Sequence, residues 1–467
     1  MNMRIRSRKL ALLLVFSLLL GLELWGCATT GPMGVSGVTS GKAKNIILLI
    51  GDGMGPNHFG TTLLYSNRIL GKDLKMVEVM NAGRTAYLLN DTADATVTES
   101  AAAAGQIATG QKMTARAISM AADGKTSLKT ILELAKDKGL ATGLVTTSGI
   151  TDATPAAFAA HVSDRGDEVS VADQELKLGV DILMGGRKQF FLPEASAGVR
   201  KDGRNLLDEA KAKGYTVVGT AQELRAAPVG KILGLFTQGN MTYEIDRAKT
   251  QEPSLAEMTA KTLEVLSRNT KGFFAMIEGG RIDHAAHRND VVGVIHDTLA
   301  FDAAVGVVLE FVRKNPQTLV IVTADHETGG MSVIGHSKTS KDYVGIDLAA
   351  IKEIKVSFEV ISRELGKDPT PQKIKEVVKQ YLAIEITDDE AKMIASDTIR
   401  KLDPANYNYA TFHSLAFVLR PYLRVGWASQ THTASPLLAF GMGPGSERIN
   451  GLLHNTQLFN IMKAAME

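Results

Sequence analysis

The 467-residue sequence predicts an α/β fold: a mostly parallel central sheet flanked by helices on both faces, with a helical insertion late in the chain. Three observations predict it. Apolar runs at 46–50, 141–146, 273–277 and 318–322 are short and do not alternate, as parallel strands buried on both faces should be. Amphipathic stretches lie between them, among them 128–138, ended by Gly139, and 291–313, ended before Pro316. Carboxylates, imidazoles and hydroxyls gather just after the runs, and in such sheets ligands bind beyond the carboxyl ends of the strands.

In chain order, basic residues 4–9 precede an apolar run at 10–22, a length that suits the core of an export signal and is short for a membrane span. Leu24, Trp25, Gly26 and Cys27 resemble the site at which bacterial lipoproteins are cut and lipidated. Residues 1–27 are therefore expected to be a lipoprotein-type signal peptide. The mature protein is expected on the periplasmic or cell-surface side, anchored to a membrane by lipid at Cys27. That residue is the only cysteine, so the fold has no intramolecular disulfide. Residues 28–44, rich in Gly, Ser and Thr, read as a flexible tether, and 45–467 as one domain. A hydrophobic content of 45% supports a large core, and a formal net charge of +2 gives no reason to expect a nucleic-acid partner.

The alternation breaks at about 336–424, a more charged insertion. Within it Thr370 and Pro371 start a helix with Ile374, Val377, Val378, Tyr381 and Leu382 on one face, and Thr387 with Glu390 forms a capping box. The core resumes at Val425, and a helix near 455–466 closes the chain.

The residues with chemistry follow the strands. Asp52 stands among Gly51, Gly53 and Gly55, glycines that let the backbone turn sharply and approach a ligand; alone, the motif is a tight turn with a capping Asp. An extended Thr96 to Glu99 segment runs into Ser100 and four alanines, which places the Ser100 hydroxyl at or near a helix N-terminus, where an anion is favoured. Alone, that is a helix cap. Asp152 and Thr154 follow the second run, and Arg165 offers a guanidinium able to hold two phosphate oxygens. Glu278 ends the third, and Asp283 and His287 beyond it are four apart, on one face if helical, able to grip one ion. His432 is the candidate third ligand. Asp325 and His326 end the fourth, a pair that suits zinc. His58, His296, His336, His413 and His454 have no such constellation and read as surface or core residues.

Six segments in order, the Gly51 to Gly55 turn, Thr98 to Ala101, Asp152 to Arg165, Glu278 to His287, Asp325 with His326, and His432 with Thr433, resemble the alkaline phosphatases. The resemblance implies hydrolysis of phosphate monoesters through a phosphoserine on Ser100, with two Zn2+ and one Mg2+. It puts Asp283, His287 and His432 on one zinc, Asp52, Asp325 and His326 on the second, and Asp52, Thr154 and Glu278 on the magnesium, with Arg165 binding phosphate. Asp152 is expected to support the magnesium site without ligating, and His284 to reach towards phosphate through water or towards Asp152. Two positions depart from family branches. Glu99 stands where many members have Asp, which bears on how Arg165 is held, and His284 is combined with Asp152, a mixture of bacterial and animal types. A phosphodiesterase or other ester hydrolase on the same metal scaffold is the competing reading, disfavoured by Arg165, and a phosphate- or zinc-binding protein without activity is disfavoured because nucleophile, clamp and ligands are all present. The oligomeric state is open, a homodimer among its options.

Overall fold

The computed structural model describes residues 38–337, 343–398 and 413–467; the expected signal peptide with Cys27, the tether as far as Gly37, and the side chains of His336 and His413 lie outside them. Eleven strands form one sheet: β1 (Val38–Thr39), β2 (Asn45–Gly51), β3 (Arg84–Leu89), β4 (Ala141–Gly149), β5 (Ile182–Gly186), β6 (Thr216–Val218), β7 (Ile232–Leu235), β8 (Phe273–Gly279), β9 (Thr318–Thr323), β10 (Leu437–Pro444) and β11 (Gly451–His454). Their order is β11–β3–β10–β9–β2–β8–β4–β5–β7–β6, with β1 beside β10. From β9 to β6 every pairing is parallel, and the four apolar runs are the adjacent strands β9, β2, β8 and β4. β10 runs antiparallel to both β9 and β3.

Neighbouring residues of β8 show why these runs do not alternate. Phe273 packs on Phe311 of the helix Val291–Lys314, while Phe274 packs on Phe158 of the helix Ala153–Ala159. Successive side chains of a strand point to opposite faces, so both faces carry helices and both need apolar cover.

The expected helices form with their own end signals. Thr130 and Glu133 make a capping box at Ile131–Asp137, and Asp290 caps Val291–Lys314 by accepting from Val292 and Gly293 N–H. In the insertion Thr370 caps Pro371–Leu382, and Thr387 with Glu390 boxes Asp388–Ser396, as the sequence predicts. The insertion is pinned to the core where Phe358 N–H donates to Asp290 Oδ2 (2.7 Å). Val38 and Thr39, inside the stretch read as tether, pair in parallel with Gly443 and Pro444, and Ala43 N–H reaches the carbonyl of Ala465. The end of that stretch is thus fixed to the sheet through its backbone, which residue composition does not reveal.

Candidate active site

Register brings the chemistry to one edge. Ile50 of β2 faces Glu278 of β8 on one side and Thr323 of β9 on the other, and Glu278 also faces Thr146 of β4. Asp52 and Asp325, each two residues further on, therefore flank one another, with Glu278 beside them. The helices that follow add the rest. Asp152 caps Ala153–Ala159, which carries Thr154, and Arg281–His287 carries Asp283, His284 and His287. A short ribbon pairs Thr328 with His432 and delivers the last imidazole. Gly53, with φ of +68°, is where the first turn passes closest: a Cβ there would lie 2.8 Å from Asp283 Oδ1 and from Thr328 Oγ1.

Two groups of acceptors converge. His287 Nδ1 lies 2.5 Å from the Gln430 carbonyl and His432 Nδ1 3.0 Å from the Thr98 carbonyl, so each ring donates there and turns its Nε2 lone pair inward. Those two Nε2 atoms are 3.1 Å apart, with Asp283 oxygens 3.2 and 3.7 Å from them. Three acceptors around one point need a proton or a cation between them. Burial lowers the His287 imidazole, but Asp283 outweighs it and raises the group; burial raises Asp283, but His287 outweighs it and holds the carboxyl well below its usual range. Nearby, His326 Nε2 lies 3.4 Å from Asp52 Oδ1 and 3.3 Å from Asp325 Oδ2. One ligand atom each from Asp52, Asp283 and His326 fall within 4.8 Å of one another, which places Asp283 between the two groups.

Electrostatics give the same answer. Burial, then Asp325, Asp283, Glu278 and Asp152, push the Asp52 carboxyl well above its usual range. Burial lifts Glu278 to about 8 and Asp325 to about 7. Asp52 Oδ1, Thr154 Oγ1, Glu278 Oε2 and Asp325 Oδ2 are buried without a hydrogen-bond partner. Orphaned acceptors of this kind are costly unless ions complete them. Imidazole with carboxylate suits zinc, and the oxygen-only set of Asp52, Thr154 and Glu278 suits magnesium.

Ser100 is the first residue of the helix Ser100–Thr109, and its Oγ lies 3.1 Å from His326 Nε2. The cap is Glu99, whose oxygens accept from Ala101 and Ala102 N–H at 3.0 and 2.9 Å. That frees the Ser100 hydroxyl from capping, the reading its local sequence alone favours. Glu99 Oε2 also takes Arg165 Nη1 at 2.7 Å, and Asp152 Oδ1 takes Nη2 at 3.0 Å. Each Nη keeps a second N–H, so the fork is oriented with hydrogens to spare. Burial raises the Asp152 carboxyl, but Arg187 and Arg165 outweigh it and hold the group far below the usual range.

His284 belongs to neither acceptor group. Its Nδ1 lies 3.0 Å from Arg281 Nη1, and burial with the Arg281 charge lowers it to about 3, so the ring is neutral and carries its proton on Nε2. Of the remaining histidines, His58 is a core residue whose Nδ1 accepts Gly55 N–H (2.9 Å), His296 packs on Tyr65, and His454 holds the Asp91 carbonyl.

Sequence reasoning missed Arg187 and Arg116. Arg187 joins Asp152 Oδ2 and Glu168 Oε2, both at 2.8 Å. It stands one residue past β5, so the strand-end rule finds it once Ile182–Gly186 is recognised as a strand. Arg116 lies in a loop with no such signal.

The family model described as alkaline phosphatase matches residues 43–467. Alkaline phosphatase 4 of Bacillus subtilis is 34% identical over 430 residues, covering 90% of this chain and 88% of that protein. The alkaline phosphatase of Escherichia coli is 36% identical over 344 residues, 63% of this chain and 72% of that one. Among solved structures, the Thermus thermophilus alkaline phosphatase superposes with a TM-score of 0.85 at 32% identity, over 94% of each chain.

Proposed function

The chain belongs to the alkaline phosphatase family, enzymes that hydrolyse phosphate monoesters, and on that premise we propose that it does so through a phosphoserine on Ser100 at a site for two Zn2+ and one Mg2+. The observation that carries the reading is the Ser100 hydroxyl itself: it stands at a helix start, beside His326, with a cation-deficient cluster on one side and the Arg165 fork on the other. Asp283, His287 and His432 are assigned to the first zinc, Asp52, Asp325 and His326 to the second, and Asp52, Thr154 and Glu278 to the magnesium. When bound, such ions supply Lewis acidity, neutralising phosphate oxygens and favouring the deprotonated form of a neighbouring hydroxyl.

The chain's own groups do the rest. The dipole of Ser100–Thr109 favours the phosphoryl group at the helix start, although Glu99 already takes the Ala101 and Ala102 N–H groups there. Arg165 takes two of its oxygens with the hydrogens that Glu99 and Asp152 leave unused, and holds them while the Ser100 Oγ–P bond forms and the alcohol departs. Water then attacks phosphorus from the side the alcohol left, the Oγ–P bond breaks, and two inversions give net retention. His284, fixed by Arg281, presents Nε2–H and serves binding without ligating an ion.

A monoester dianion has three non-bridging oxygens, two for the Arg165 fork and one left for the cation cluster, whereas a diester has only two in all and cannot serve both, which sets the diesterase reading second. Ser100→Ala is expected to lower kcat/KM for an aryl phosphate by about 10^4-fold or more while zinc and magnesium content stays at the parent level. Turnover near the parent's would exclude Ser100 as the nucleophile.

A further inference from the structure

We propose that Arg116 is a positioning residue that locks the Arg165 fork, with Asp164 as its partner; the proposal rests on the reading of Arg165 as the phosphate clamp. Arg116 touches the clamp through both its backbone and its side chain. Its N–H donates to Glu99 Oε1 (2.8 Å), the carboxylate whose other oxygen takes Arg165 Nη1. Its carbonyl accepts the Arg165 N–H (2.8 Å). Its guanidinium grips Asp164, the residue before Arg165, through Nε at 3.0 Å and Nη2 at 2.7 Å. One residue thereby ties the main chain of the clamp, its preceding side chain and the carboxylate that aims it.

Local stability does not explain this arrangement. Arg116 has φ of +69°, a left-handed conformation that glycine adopts freely and a long side chain does not. The Arg116 and Asp164 side chains are 57% and 54% exposed, and ion pairs that open to water contribute little. A residue strained in its backbone and weakly paired at the surface is accounted for by what it orients. Glu99 makes the geometry reachable: with both oxygens on the helix start it still accepts from Arg116 and Arg165. An arginine side chain loses much rotamer freedom when it closes on phosphate, so fixing it beforehand strengthens ground state and transition state alike, which appears in KM more than in kcat.

The test compares the full chain with R116G, D164A, the double variant and R165A. In R116G and D164A the inhibition constant of inorganic phosphate and the KM of an aryl phosphate are expected to rise roughly 3- to 10-fold, with a smaller change in kcat. The double variant should match the singles, since either one opens the lock. R116G should melt no lower than the parent, because glycine relieves the strained φ; a merely structural role predicts the reverse pattern, a lower melting temperature with phosphate affinity unchanged. Unchanged phosphate inhibition in R116G and D164A, with weakened inhibition in R165A, overturns the proposal while leaving the clamp reading intact. Unchanged inhibition in R165A as well overturns both.

Discussion

The two sides of Ser100 are built on opposite electrostatic terms. On one side Asp52, Glu278, Asp283, Asp325, His287, His326 and His432 converge, with orphaned oxygens and with the Asp52, Glu278 and Asp325 carboxyls pushed up, by burial first and then by neighbouring carboxylates. Asp283, which burial alone would raise, is held down by the imidazoles around it. On the other, Glu99 and Asp152 are surrounded by donors: Asp152 alone takes Ser148 Oγ, Ala153 N–H, Arg165 and Arg187. The first side is incomplete until cations arrive, whereas the second is complete within the chain. Buried charge is tolerated in both, but only the second supplies its own countercharge.

Removing metal should separate the sides most sharply. Chelation is expected to lower turnover by about 10^3-fold or more, and to lower the melting temperature, since ions that bind only the folded state stabilise it by linkage. Zinc and magnesium together should restore both. Turnover and melting that ignore the chelator would break the comparison at its root.

Neutralising one carboxylate on each side of the chelated protein is the next test. Asp152→Asn leaves Arg165 and Arg187 facing a neutral amide, and should cost about 2–4 kcal/mol in chemical denaturation. Asp52→Asn removes one of several repelling charges, and should raise the stability of the same metal-free protein by about 1 kcal/mol, as relief of a strained site does. Both variants destabilised to the same degree would mean that the two sides do not differ in their own charge balance.

How much of this was legible follows from which signals are local. β2, β4, β8 and β9 could be read because parallel strands covered on both faces are apolar at every position, and with them came Asp52, Asp152, Glu278 and Asp325 at their ends. β10 could not: Leu437–Pro444 is broken by glycines and runs antiparallel, a choice made by its neighbours and not by its residues. Arg187 stayed hidden because β5 did. Arg116 stayed hidden because a left-handed arginine is a property of the folded loop, visible only beside Glu99 and Arg165. Glu99 was seen, but its role as the helix cap was given to Ser100, since both residue types stand before the alanine run and only the φ of −131° at Glu99 marks it as the cap.

The smallest expected effect lies under the clamp, where Val162, bridged to Ile118, begins the segment that carries Asp164 and Arg165. His161, one residue earlier, holds the Ser119 carbonyl with Nδ1 (3.0 Å) and turns Nε2 to Glu133 Oε1 (3.2 Å). Burial lowers the imidazole, but the Glu133 carboxylate and the Ser119 carbonyl outweigh it and raise the group above its ordinary 6.5. A proton bound more tightly in the folded state stabilises the fold fully below 6.5, and that contribution fades as pH rises through the higher folded value. Above it, a carboxylate faces a bare imidazole lone pair. Glu133→Gln keeps an acceptor for Thr130 N–H, which Glu133 Oε2 now serves, and gains an N–H that can donate to neutral His161. The variant should therefore be less stable than the parent by about 1 kcal/mol at pH 5.5, and equal or more stable at pH 9. Melting curves of both proteins across that range check it: two parallel profiles, with no crossing, would show that the clamp side does not titrate through this pair.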